Sequence, residues 1–173
     1  MEIAATVRNT ATSHDVSVRT GSASQTLAVP PRPQGRGSGV NGGEFLMLAL
    51  ATCYCNDIYR EAARLGIQVD GVSVEATAEF AGVGLAATNV RYRAVIDSPA
   101  PAGDIARLLR ETDGVAEVHN TLRAGVAVDQ NRTVARERPG KRMGKLSADA
   151  AAEVRHVITL MSGVLSVSSG QGG

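Results

Sequence analysis

The sequence predicts an α+β domain, and three observations carry that reading. Short alternating runs fill residues 2–29, one long apolar helical pattern occupies residues 44–65, and a second alternating pair follows it. The order is βββ–α–ββ–α–β with a tail. Strands and helices are therefore grouped, not alternated one for one, as in antiparallel sheets with helices laid against them. At 173 residues and 17.9 kDa the chain suits one domain with an extension. Its 43% hydrophobic and 20% charged residues can bury a core.

In the first alternating block, Ile3, Ala5 and Val7, then Val16 and Val18, then Leu27 and Val29, mark three strands. Breaks fall at residues 10–13 and 20–22. Residues 30–43 are rich in Pro and Gly, which defeat both helix and ladder, so they form a loop. Its only charges are Arg32 and Arg36. A structureless loop of this length inside a domain is often functional. Residues 44–65 are the strongest helix, started by Asn41 or the Gly42-Gly43 pair and stopped by Gly66. The first half is apolar nearly all round, so burial on every side is expected there, by the domain or by a second subunit.

Val72, Val74, Ala76, Ala78 and Phe80 alternate with polar residues, as do Val90, Tyr92, Ala94 and Ile96. The pair predicts a hairpin turning at Gly82-Val83-Gly84 with one wet face. Ile105, Leu108 and Leu109 mark an amphipathic helix over 102–112, which Gly114 is expected to interrupt before a second piece over 115–123. Residues 125–130 read as a returning strand. Beyond residue 131 comes a basic linker, 132–145, and a final helix over 147–161. The domain thus spans 1–131 and the extension 132–173.

Several function classes are excluded. Net charge is +1, aromatics are 3% and Trp is absent, so neither a global field nor a stacking platform for nucleic acid exists. No apolar run approaches the length of a membrane span. The start, Met1-Glu2-Ile3-Ala4, lacks a signal-peptide pattern, so a cytoplasmic location with reduced thiols is expected. Metal-site spacings such as HExxH and CxxC are missing, and neither a metal nor a cofactor is expected. Gly35-Arg36-Gly37-Ser38-Gly39 precedes a helix like a phosphate loop, but lacks the Lys-Ser/Thr pair and a buried strand before it.

Chemistry centres on the cysteines, Cys53 and Cys55. Two residues apart on a helix, they point roughly 200° away from each other, which is poor geometry for a disulfide. Both lie about 15 Å from the helix start, too far for its dipole to activate a thiolate. A cation must come from elsewhere, and the Arg32/Arg36 loop is the candidate. A Cys–His–Asn hydrolase using His119 and Asn120 is disfavoured, because isolated histidines are usually structural.

The run Asn41-Gly42-Gly43-Glu44-Phe45-Leu46, leading through small apolar residues to Cys53, resembles the helix motif of the OsmC/Ohr family. These are the osmotically induced and organic-hydroperoxide-resistance proteins, whose motif is Asn-Pro-Glu-Glu-Leu followed by a cysteine. The resemblance covers about residues 1–130. It implies two antiparallel sheet segments around a long central helix, in an intertwined homodimer. It also implies thiol-dependent reduction of organic hydroperoxides for oxidative stress defence, with an external dithiol as reductant. Cys53 takes the attacking position, and Arg36 or Arg32 and Glu44 are the candidates to hold its thiolate. Two departures from the family bear on the chemistry. Gly43 stands where the family has its Glu, and Ala116 stands where the second, resolving cysteine belongs. Three readings follow: a one-cysteine reductase, a dimer that has lost the chemistry and binds a small apolar or thiol-reactive ligand, and a redox sensor acting through the basic tail.

Overall fold

The computed structural model describes residues 1–130. The chain divides into two units, Met1–Ala127 and Val128–Gly173; the architecture below is that of the first. The expected basic linker and final helix lie outside the described residues.

Three strands, β1 (Ile3–Asn9), β2 (His14–Thr20) and β3 (Ala23–Leu27), form an antiparallel sheet in the order β1-β2-β3. Thr10 closes the first turn: its hydroxyl accepts the amides of Thr12 and Ser13 at 3.2 and 2.9 Å. The loop that follows is not featureless. Pro31 pairs with Ser38, the Arg32 amide donates to the Gly37 carbonyl at 3.0 Å, and the Gly39 amide donates to Pro30 at 2.8 Å. Gly37 sits at φ 112°, a conformation that side-chain-bearing residues rarely adopt.

Helix α1 (Gly42–Leu65) is capped at both ends. Asn41 accepts the Glu44 amide at 3.0 Å, and Glu44 accepts the Asn41 amide at 2.7 Å, a reciprocal capping box. Gly66, at φ 68°, turns the chain out in the left-handed conformation. Strands β4 (Gly71–Glu79) and β5 (Thr88–Asp97) pair antiparallel, with Val72 opposite Ile96, Val74 opposite Ala94 and Ala76 opposite Tyr92. That face lies toward α1, while Glu75 and Arg93 pair at 3.3 Å on the other. Helices α2 (Ala102–Val115) and α3 (Glu117–Ala124) pack against α1 as well.

The core is a stripe on α1, Tyr54, Ile58 and Ala62, closed by Leu108 and Ala116. The spacing of four residues is the period that keeps side chains on one helix face. Ile58 and Leu108 have no exposed surface.

Within the single chain the domain does not cover the whole first half of α1: Leu50 is buried, but Leu48 is 56% exposed, because one α1 face meets the sheet and small helices and nothing else in the described unit covers the rest. Three expectations are corrected. Gly114 does not interrupt α2. The helix runs through it, and the break comes at Ala116, whose extended backbone (φ −72°, ψ 99°) separates α2 from α3. Residues 125–130 form no strand, since no described strand edge pairs with them and Val126 and Val128 stand in the open. The hairpin turn is also longer than three residues, occupying 80–87.

His119 enters this core. It is 3% exposed, packs edge-on against Tyr92 with ring centroids 4.4 Å apart, and neither ring nitrogen has a hydrogen-bond partner. Burial pushes its pKa below the ordinary value, and the nearby Arg123 charge pushes the same way. Unfolding then takes up a proton as pH falls below about 6.5, the ordinary histidine value, and stability drops until the folded value is reached. The slope is at most about 1.4 kcal/mol per pH unit for one proton. We expect urea midpoints to fall between pH 7 and pH 5, and His119→Phe to flatten that limb. An unchanged limb would assign the loss to other groups.

Candidate functional site

Cys53 lies on the α1 row next to the core stripe. Cys53, Asp57 and Glu61 each precede a core residue, so the same four-residue period aligns them. The half-buried Cys53 thiol donates to Asp57 Oδ2 at 3.4 Å, and Glu117 Oε2 lies 3.9 Å from the same sulfur. Asp57 and Glu61 are buried carboxylates, which requires paired charge. Arg60 supplies it, 2.7 Å from Asp57, 3.5 Å from Glu117 and 3.4 Å from Glu61. Arg64 adds a second contact to Glu61 at 2.6 Å and reaches Glu111. Glu61 and Glu111 are both held below the usual carboxylate range, chiefly by hydrogen bonds from Arg64 and Arg107 respectively.

The resting thiol is protonated. Burial is the largest cause raising its pKa; a backbone hydrogen bond at Val118 works against it, and the Asp57 hydrogen bond and the Asp57 and Glu117 charges raise it further. The ligand atoms of Cys53, Asp57 and Glu117 lie within 4.8 Å of one another, a donor set that a divalent cation accepts. Both carboxylates already carry the Arg60 guanidinium, so positive charge is present there without an ion.

The structure places the expected site residues apart. Cys53 is in the middle of α1. Glu44 is committed to the helix cap, nine residues earlier, about 13.5 Å along the axis. Arg32 and Arg36 line a pocket against the β1–β2 turn. Gly43 lies against Phe80: a Cβ there would lie 3.0 Å from its ring, so a side chain at this position needs that ring to shift. The break at Ala116, in contrast, does face Cys53 through its neighbour Glu117. Cys55 is a free thiol two residues on. Asp57 and Arg60 were legible as the spacing Cys-x3-Asp-x2-Arg on a predicted helix; Glu117 was not, since its approach depends on how α3 docks. A second pocket, about 480 Å³, lies between the start of α1 and the end of β4, lined by Met47, Ala76, Ala78 and Phe80 among others.

The sequence model of the OsmC-like protein family matches residues 35–131, more than half of the chain and the whole segment from the Arg36 loop to α3. The chain belongs to the OsmC-like family. Its structure is similar to that of an OsmC-like protein from Mycoplasma pneumoniae, with a TM-score of 0.52 and 18% identity over 70% of this chain and 86% of that one. An organic hydroperoxide resistance protein OsmC from Legionella pneumophila aligns with a TM-score of 0.49 and 19% identity over 71% and 90% of the two chains. A comparison with curated protein sequences gives no match. No helix among the described residues is long and apolar enough to cross a membrane.

The alkylation rate of Cys53 as a function of pH tests this electrostatic picture. We expect its midpoint above that of a free cysteine, and a shift to lower pH in Asp57→Asn and in Glu117→Gln, because each removes a negative charge that opposes the thiolate. A wild-type midpoint below the free-cysteine value would contradict the geometry.

Proposed function

We propose that this OsmC-like protein is a thiol-dependent reductase of organic hydroperoxides with Cys53 as its single attacking cysteine. The observation that carries the reading is the seat of Cys53: the family's cysteine position, half-buried, with two carboxylates at the sulfur and a guanidinium that bridges those carboxylates. Asp57 and Glu117 do the proton handling that the family resemblance suggested for Glu44 and Arg36. A carboxylate takes the thiol proton as the sulfur attacks the terminal peroxide oxygen. The O–O bond breaks, an S–O bond forms, and the sulfur is oxidised by two electrons to a sulfenic acid. The departing alkoxide takes the proton back from the carboxylic acid and leaves as the alcohol. Arg60 pairs with both carboxylates and holds them in place before the encounter.

The second half-cycle needs external thiols, because Cys55 points away and Glu117 follows the position of the missing second cysteine. One reductant thiol condenses with the sulfenic acid, releasing water and leaving a mixed disulfide. A second thiol displaces Cys53 and leaves the reductant oxidised. The protonated resting thiol favours a second reading, in which the fold binds a small apolar ligand in the Phe80 pocket without turning over peroxide.

The reading includes a homodimer. It is supported by the exposed apolar surface of α1 at Leu48 and of β1 at Ile3 and Val7, which a second copy would cover. Light scattering is expected to give twice the chain mass; a stable monomer would count against this assembly.

Peroxide consumption with an organic hydroperoxide and a dithiol separates the two functional readings. Cys53→Ser should abolish turnover and Cys55→Ser should leave most of it. Reduced protein that reacts no faster than free cysteine would favour the ligand-binding reading, and equal loss in both variants would indicate structural damage.

A further inference from the structure

The loop before α1 and the turn between β1 and β2 enclose a pocket of about 370 Å³, distinct from the Cys53 cluster and unused by the proposed peroxide chemistry. Its charged walls are all of one sign. Arg32 and Arg36 line it, together with His14, Ser13 and Thr10, and no Asp or Glu does. Neither arginine has an acidic partner among the described residues. Arg32 uses only its Nε, on the Ser38 carbonyl at 3.4 Å, which leaves both terminal nitrogens unspent. His14 lies beside them, with Asn9 Nδ2 3.2 Å from its Nδ1.

The cradle is built before any ligand arrives. The Arg32 amide is tied to the Gly37 carbonyl, and Pro31 pairs with Ser38, so the two arginines are held across a short clamp and do not hang from a free loop. The turn opposite is fixed by Thr10 accepting two backbone amides.

We infer that this pocket binds the tetrahedral dianion of a phosphate group. Two guanidinium forks match a doubly charged acceptor with several oxygens, whereas a single carboxylate would leave one positive charge unmatched. The volume falls in the range of small-molecule sites, which leaves room for an organic group beyond the phosphoryl oxygens. The Gly35–Gly39 run is then phosphate-directed by the Arg36 side chain, with Arg32 just before it, and lacks the backbone cradle and Lys-Ser/Thr pair of a phosphate loop.

Calorimetric titration of the full chain at low ionic strength tests the assignment, with inorganic phosphate, glycerol phosphate, adenosine monophosphate and acetate as probes. Phosphate is expected to bind, and Arg36→Ala and Arg32→Ala are each expected to weaken it about tenfold or more, as for loss of one charge-assisted contact. Arg36→Lys, which keeps charge but loses the fork, should fall between Arg36→Ala and the wild type. Arg19→Ala, on the surface of the same sheet, should change nothing beyond about twofold. Tighter binding of either monoester than of free phosphate would identify an organic phosphate as the ligand, and equal binding would identify the free ion. Acetate binding as tightly as phosphate would overturn the dianion assignment. Absence of phosphate binding up to about 10 mM, or binding unaffected in the Arg32→Ala/Arg36→Ala double variant, would overturn the site. Circular dichroism of each variant confirms the fold, so a lost fold is not read as a lost site. Peroxide turnover plays no part in these readouts, and failure here leaves the proposed reductase reading where it stood.

Discussion

The packing of Tyr54, Ile58 and Ala62 on one face of α1 organises the elements from α1 to α3. The β4–β5 face, α2 and the Ala116 break all close on that stripe. A helix that commits one face to a core fixes the rows beside it. The row one residue earlier is Cys53, Asp57 and Glu61, which therefore meets the edge of the core and not open water. Two carboxylates forced to that depth demand cations, and Arg60 and Arg64 follow each of them by three residues. The thiol's electrostatic setting is in this sense a by-product of the core, not a separate arrangement laid over it.

That origin explains which groups the single chain sets beside the sulfur. At the helix start, Gly43 lies against the Phe80 ring. Glu44 goes to the cap, where it holds the Asn41 amide and stabilises the first turn. Charge near the sulfur then comes from farther down the same helix and from α3. This arrangement has a chemical consequence. A guanidinium in direct contact stabilises a thiolate, whereas carboxylates in direct contact keep the thiol protonated and stand ready to accept its proton. Turnover on this site would depend on proton transfer during attack, not on a pre-formed thiolate.

Much of the fold was legible because local signals agreed with the tertiary result. The Asn41 start, the Gly66 stop, the alternation of β4 and β5 and the three short strands each have a local physical cause that packing did not override. The failures share the opposite character. Whether Gly114 breaks a helix depends on what α2 packs against, and its helix ran on because Leu108 and Thr112 anchor it on the core. Whether 125–130 forms a strand depends on an available edge, which alternation cannot reveal. The composition of the first half of α1 states a need for burial, and the single chain meets it at Leu50 but not at Leu48.

The candidate site divides in the same way. Cys53 and its helical neighbours Asp57 and Arg60 follow from spacing alone once the helix is granted. Glu117 and the parting of Arg36 from the thiol do not, since both depend on where non-local elements dock. The Arg32/Arg36 loop shows the limit most plainly. Its glycines, prolines and paired arginines marked it as functional in sequence, and the nearest cysteine drew the arginines toward thiol chemistry on paper. In the folded unit the clamp at Gly37 and Ser38 turns them toward the β1–β2 turn instead, where His14 lines the same pocket. The same two charges that sequence proximity offers to a sulfur are assigned by backbone hydrogen bonds to an anion.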